Sequence, residues 1–94
     1  MTQQLCVHAT IHGTVQGVGY RSWAEKHAIQ RGLSGWVRNR ADGTVEAIFC
    51  GAESAVEDML KACEDGPLRA SVSKVERKMP DTPPPADFKQ LATE

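Results

Sequence analysis

The chain has few aromatic side chains and almost no net charge. Five of its 94 residues are Phe, Trp or Tyr, and its 11 Lys and Arg residues nearly balance its 12 Asp and Glu residues. Sheets that bind single-stranded RNA need stacking aromatic residues and a basic face, so we expect no nucleic-acid partner. The chain also lacks an apolar run of about 18 residues and a basic-then-apolar leader segment, so we expect no membrane contact and a cytoplasmic location.

Cysteine and histidine are too scattered to suggest a metal site. Cys6, Cys50 and Cys63 are an odd number and lie far apart, which gives neither zinc-ligand spacing nor a Cys-x-x-Cys redox motif. We interpret all three as small buried hydrophobic residues in a reducing compartment. His8 and His12 would share one strand face at roughly 13 Å, too far apart for one metal. We predict no metal and no cofactor.

The length and composition are those of one small globular domain. Ninety-four residues with 40% hydrophobic and 24% charged side chains can bury one core but not two. We therefore treat residues 1–94 as a single domain and expect a monomer.

The most informative segment is 13–21, which contains three glycines and ends in Arg21. It lies between a strand-like run at 5–11 and a helix-like run at 22–31. A glycine-rich turn before a helix exposes several unpaired N–H groups beside the positive end of the helix dipole. Such a segment can bind an anion, and the Arg21 guanidinium is suited to phosphate or carboxylate.

The same glycines would also suit an ordinary strand-to-helix turn with a surface arginine. A cation in the first turn of a helix is unfavourable by about 0.3–1 kcal/mol, so Arg21 favours the anion site. Two common phosphate motifs are excluded by spacing. Val18 stands where a Walker loop needs glycine, and Ser22 stands where a dinucleotide fingerprint needs it.

The hydrophobic pattern predicts an α+β fold. Apolar alternation indicates strands at 4–11, 33–39, 44–50, 70–79 and 86–91, and helical spacing indicates helices at 22–31 and 52–64. Asp42 and Gly43 form a typical hairpin turn, Gly51 is expected to end the third strand, and the proline-rich segment 81–85 is expected to be stiff. This order is that of the ferredoxin-like split βαβ fold (βαββαβ), a two-layer sandwich with an antiparallel sheet and two helices on one face.

Asn39 ends the second predicted strand, just before the hairpin turn. Asparagine is common at such corners, so a role as a turn residue is the first interpretation. Arg38 and Arg40 flank it as edge charges, which could also add positive potential near an acidic ligand.

Two motifs together resemble the acylphosphatase family. The first is Ile11–Arg21 (IHGTVQGVGYR), and the second is Gly35–Asn39 (GWVRN), followed by Gly43-Thr44-Val45 and Gly51. The resemblance runs from about residue 7 to residue 75 and fades in the last fifteen residues. Tyr20 stands where phenylalanine is more usual in the family.

The resemblance implies hydrolysis of the carboxyl–phosphate bond of small acyl phosphates, without a metal and without a phosphoenzyme. By matching positions, Asn39 would hold the attacking water. Arg21 would bind the phosphoryl group together with the backbone amides of Gln16, Gly17, Val18, Gly19 and Tyr20. An alternative is a non-catalytic phosphate- or anion-binding module on the same ferredoxin-like fold. A third possibility is the acylphosphatase-like domain found in larger carbamoyl-transferring proteins.

Overall fold

A computed structural model shows a five-stranded sheet with two helices packed on one face, and it describes residues 3–82 and 85–94. The elements in chain order are β1 (Gln4–Thr14), α1 (Tyr20–Gln30), β2 (Ser34–Asn39), β3 (Val45–Ala52), α2 (Glu53–Cys63), β4 (Ser71–Lys78) and β5 (Phe88–Gln90). The strand order is β4-β1-β3-β2-β5. The predicted ferredoxin-like α+β fold is confirmed. The stiff connection predicted at 81–85 includes residues 83–84, which lie outside the described residues.

The sheet departs from the prediction at β5 and at Gly51. The short strand β5 pairs with β2 in parallel, so the sheet is mixed rather than wholly antiparallel. Phe88 anchors β5 by stacking on Phe49 at 5.7 Å between ring centroids. Gly51 does not end β3, because it pairs with Leu5 of β1 and the ladder continues to Ala52.

The core lies between the sheet and the two helices. Alternate residues of β1 and β3 point into it and meet α1 and α2, as the apolar alternation predicted. The central members are fully or almost fully buried: Val7, Ala9 and Ile11 from β1, Val45, Ala47 and Phe49 from β3, and Ala24, Ala28, Val56, Met59 and Cys63 from the helices. This packing holds the end of β1, and so the start of the glycine-rich loop, in a fixed place.

The opposite face of the sheet carries a buried carboxylate, Glu46, which is only 8% exposed. His8 contacts one carboxylate oxygen, while Arg38 Nε and Arg40 Nη1 donate to the other at 2.8 and 3.0 Å. Burial alone would raise the pKa of Glu46. The hydrogen bonds from Arg38, His8 and Arg40 outweigh it and lower the pKa to about 2.

Acid should therefore destabilise the fold through Glu46. Because its folded pKa of about 2 lies below the ordinary 4.5, its contribution is fully present above about pH 4.5 and is lost as the pH falls toward 2. We expect the free energy of unfolding to fall across this window by up to about 3 kcal/mol from this group. Urea unfolding of Glu46→Gln should show a flatter pH dependence between pH 4.5 and 2 than the wild type.

The matched control is Glu64→Gln, which removes an exposed carboxylate outside this cluster. It should keep the wild-type slope in the acid window. An equal slope for Glu46→Gln and the wild type would contradict the assignment to Glu46.

Two of the cysteines form a disulfide, which corrects the expectation that all three are simple buried thiols. Cys6 and Cys50 are direct cross-strand partners on β1 and β3, with Cα atoms 4.1 Å apart, and their sulfurs are bonded. Cys63 is a free thiol and is fully buried, and burial raises its pKa to about 12. The Tyr20 hydroxyl donates to the Cys63 backbone carbonyl at 2.7 Å. A phenylalanine at position 20 could not form this hydrogen bond.

Reduction should weaken the fold measurably. A disulfide that closes a loop of 44 residues restricts the unfolded chain, and its loss should cost about 2–4 kcal/mol in unfolding free energy. Urea unfolding with and without dithiothreitol measures this difference. The double variant Cys6→Ala/Cys50→Ala should not respond to the reductant. A count of free thiols in the denatured, unreduced protein should give one. A count of three would contradict the disulfide.

Candidate active site

The glycine-rich loop forms a left-handed turn into α1. Gly17 and Gly19 have φ angles of 74° and 80°, a conformation that side chains disfavour. A Cβ at either position would meet no described atom within 4 Å, so the backbone faces open space. Gly19 caps α1 without any side-chain hydrogen bond, and no acidic residue lies in the first turn. The first N–H groups of α1 are therefore available to an anion.

A small cavity of about 130 Å³ joins this loop to the end of β2. Its lining residues are Val15, Gly17, Gly19, Tyr20, Arg21, Ser22, Asn39 and Gln90. Arg21 and Asn39 are 18 residues apart in sequence, and the fold brings them to the wall of one cavity. The volume is well below the 300–1,000 Å³ or so of pockets that enclose a whole drug-sized ligand. It suits a compact group such as a phosphoryl.

Arg21 is half-buried at the cavity and forms no ion pair with any described residue. Four other arginines each contact a carboxylate: Arg31, Arg38 and Arg77 at 2.8 Å and Arg40 at 3.0 Å. Arg69 also forms no ion pair with a described residue, but it is exposed to solvent. A half-buried guanidinium without a counter-charge favours an anionic ligand, because its five donors otherwise remain partly desolvated.

Asn39 is held by its backbone while its side chain stays free. It pairs with Val45 across the β2–β3 hairpin, and its carbonyl accepts the Glu94 N–H at 3.0 Å. The turn behind it is closed by the Asp42 carboxylate, which accepts from the Thr44 N–H and hydroxyl at 3.0 and 2.6 Å. Within the described ranges, the Asn39 carboxamide has no hydrogen-bond partner. Both its acceptor and its donors can therefore bind water.

Arg38 and Arg40 do not supply the positive potential considered for them. Both guanidiniums lie against Glu46 on the open face of the sheet, and neither residue lines the cavity. Arg38 also stacks over Trp36, with its guanidinium carbon 4.7 Å from the ring centroid. Of the arginines in the described ranges, Arg21 is the one that lines the cavity.

Sequence reasoning missed two residues at the cavity rim, Ser22 and Gln90. Gln90 reaches the rim because β5 lies beside β2, and its amide donates to Glu25 of α1 at 3.0 Å. Ser22 could have been predicted because it directly follows Arg21. Nothing in the sequence of 88–90 indicated that Gln90 lies near the glycine-rich loop.

Comparison with known proteins decides the family. The acylphosphatase family model matches residues 7–90. The chain belongs to the acylphosphatase family. The match includes β5, so the family resemblance extends past residue 75, where the motifs had faded.

Individual relatives agree with this assignment. An acylphosphatase of Azorhizobium caulinodans is 53% identical over 78 residues, which cover 83% of this chain and 84% of that relative. One from Acidiphilium cryptum is 44% identical over 86 residues, covering 92% and 94%. The solved acylphosphatase of Coxiella burnetii superposes with a TM-score of 0.88 at 34% identity and covers 97% of this chain and 100% of that one. The enzyme therefore hydrolyses acyl phosphates, and a purely non-catalytic binding module is not supported.

Proposed function

We propose that the phosphoryl group of the substrate binds in the cavity between the glycine-rich loop and Arg21, and that Asn39 orients the water that attacks it. The observation that carries this proposal is that Gly17, Gly19, Arg21 and Asn39 line one and the same cavity of about 130 Å³. The backbone amides of 16–20 and the guanidinium would donate to the phosphoryl oxygens.

Positioning and charge stabilisation are sufficient for this reaction. The phosphoryl group passes through a loose transition state with its charge spread over three equatorial oxygens. Fixed amides and one guanidinium stabilise that charge without reorganising during the reaction. We propose that Arg21 supplies the positive charge and that turnover needs no metal. No group of three or more His, Cys, Asp or Glu side chains within 3–82 and 85–94 is arranged to hold one.

The bond changes are simple. The water oxygen attacks phosphorus, the bond from phosphorus to the acyl oxygen breaks, and the carboxylate leaves with the electron pair. A carboxylate needs no acid to leave because its pKa is low. The Asn39 carbonyl accepts one hydrogen bond from the water, but asparagine is not a base. The proton passes to a phosphoryl oxygen or to solvent.

Oxygen labelling tests attack at phosphorus. Benzoyl phosphate hydrolysed by the enzyme in ¹⁸O-enriched water with EDTA present should place one label in each inorganic phosphate and none in benzoate. The same buffer without enzyme gives the background. Label in benzoate would show attack at the carbonyl carbon and contradict the proposal. Loss of turnover on adding EDTA would contradict its metal-free part.

The small cavity also supports a broad range of acyl groups. A site that encloses little more than the phosphoryl group leaves the acyl group at the rim, near Ser22 and Gln90. We therefore propose that acetyl, carbamoyl and benzoyl phosphate are all substrates.

Residues 1–94 are proposed to act as one domain and as a monomer in the cytoplasm. None of the helices in 3–82 and 85–94 has the length and apolarity needed to cross a membrane. Because the cytoplasm keeps most thiols reduced, this proposal predicts that Cys6 and Cys50 are free thiols in the cell and that their bond forms under oxidising conditions.

A further inference from the structure

The side chain of Gln16 links the glycine-rich loop to the β2–β3 hairpin. Its amide nitrogen donates to the Arg40 carbonyl at 2.7 Å and to the Thr44 carbonyl at 2.9 Å. These two carbonyls lie at opposite ends of the hairpin turn. The Thr44 carbonyl also accepts the Arg40 N–H at 2.9 Å, which closes the turn. Both protons of one side-chain amide thus bind the turn.

The link joins the two halves of the proposed site. Gln16 directly precedes Gly17 of the loop, and Arg40 directly follows Asn39. The backbone of Asn39 itself is held by Val45 and by Glu94, neither of which belongs to the loop. Among the described residues, the two Gln16 bonds are the hydrogen bonds that connect segment 15–19 to the hairpin turn.

We propose that Gln16 is a positioning residue, which sets the distance between the bound phosphoryl group and the water held by Asn39. The proposal rests on the function proposed above and assigns Gln16 a side-chain role in addition to its backbone amide. An in-line attack needs reacting atoms about 3–3.5 Å apart, and a displacement of about 1 Å can cost about 10²-fold in rate. One amide that binds both ends of the turn can limit such displacement.

The first test is Gln16→Met, which keeps the side-chain length and removes both donors. We expect kcat for benzoyl phosphate to fall about 10- to 100-fold. The KM and the competitive inhibition constant of inorganic phosphate should change less than about 3-fold, since the backbone amides and Arg21 remain. Gln30→Met, at an exposed glutamine of α1, is the matched control and should behave as wild type. Gln16→Asn, whose shorter side chain cannot reach both carbonyls, should repeat the result if Gln16→Met is poorly folded.

The second test asks whether Gln16 acts through Asn39. In an Asn39→Ala background, Gln16→Met should lower the residual kcat less than about 3-fold, because the water is already unaligned. If the two substitutions lowered kcat by factors that multiply in the double variant, the proposal would be overturned. An unchanged kcat for Gln16→Met would also overturn it, as would a phosphate inhibition constant that rises as much as kcat falls. If Asn39→Ala alone kept the wild-type rate, the proposed function would fail first. If Asn39→Ala were inactive and Gln16→Met fully active, the role of Gln16 would be rejected and the proposed function would stand.

Discussion

Arg21→Gln is expected to lower kcat/KM for benzoyl phosphate by at least about 10²-fold, the effect of losing one preorganised donor in an oxyanion site. The loss should be larger still because the substitution also removes a full positive charge, and among the described residues no other arginine lines the cavity. Binding and turnover should both suffer, so the competitive inhibition constant of inorganic phosphate should rise as well. Steady-state kinetics with phosphate as inhibitor measure both quantities.

A suitable control for Arg21→Gln is Arg69→Gln, which removes an exposed arginine outside the cavity. It should leave kcat/KM near the wild-type value. Arg21→Lys keeps the charge but loses the planar pair of donors, so it should recover only part of the activity. A near-wild-type Arg21→Gln enzyme would reject the proposed phosphate site.

Asn39→Ala is expected to lower kcat by about 10³-fold while inorganic phosphate still binds with nearly the wild-type inhibition constant. The physical reason is that the phosphoryl-binding amides and Arg21 are untouched, whereas the attacking water loses its partner. Stability should hardly change, since the Asn39 carboxamide makes no hydrogen bond within the described residues and its backbone pairing with Val45 remains.

The separation of rate from binding is the decisive readout for Asn39. If the inhibition constant of phosphate rose as far as kcat fell, Asn39 would bind the phosphoryl group rather than water. A large drop in the urea midpoint would point to a structural role in the hairpin instead. Asn39→Asp gives a further comparison, because it keeps a carbonyl acceptor but places a negative charge beside the phosphoryl oxygens.

Local patterns in the sequence were enough to predict most of the fold. Period-two alternation placed four strands within a few residues, and apolar residues at helical spacing placed both helices. The pattern at 86–91 indicated a strand, but not that β5 lies parallel to β2. Gly51 was misplaced because a glycine can end a strand or continue it, and only its pairing with Leu5 decides which.

The proposed site could be predicted from the sequence where one short segment carries it. Glycine spacing and the unfavourable position of Arg21 indicated an anion site, and the second motif added Asn39. Gln90 and the targets of the Gln16 side chain were not predictable, because their partners lie 24 or more residues away in sequence. The register of one strand against another places them there.

The sequence by itself determined the element order, the glycine-rich turn before α1 and the resemblance to acylphosphatases, since these depend on backbone propensity and the spacing of neighbouring residues. Only the tertiary structure decided that Cys6 meets Cys50, that Glu46 is buried among His8, Arg38 and Arg40, and that Gln16 binds the hairpin. Such contacts depend on strand register, in which a shift of one residue would turn each side chain to the opposite face of the sheet.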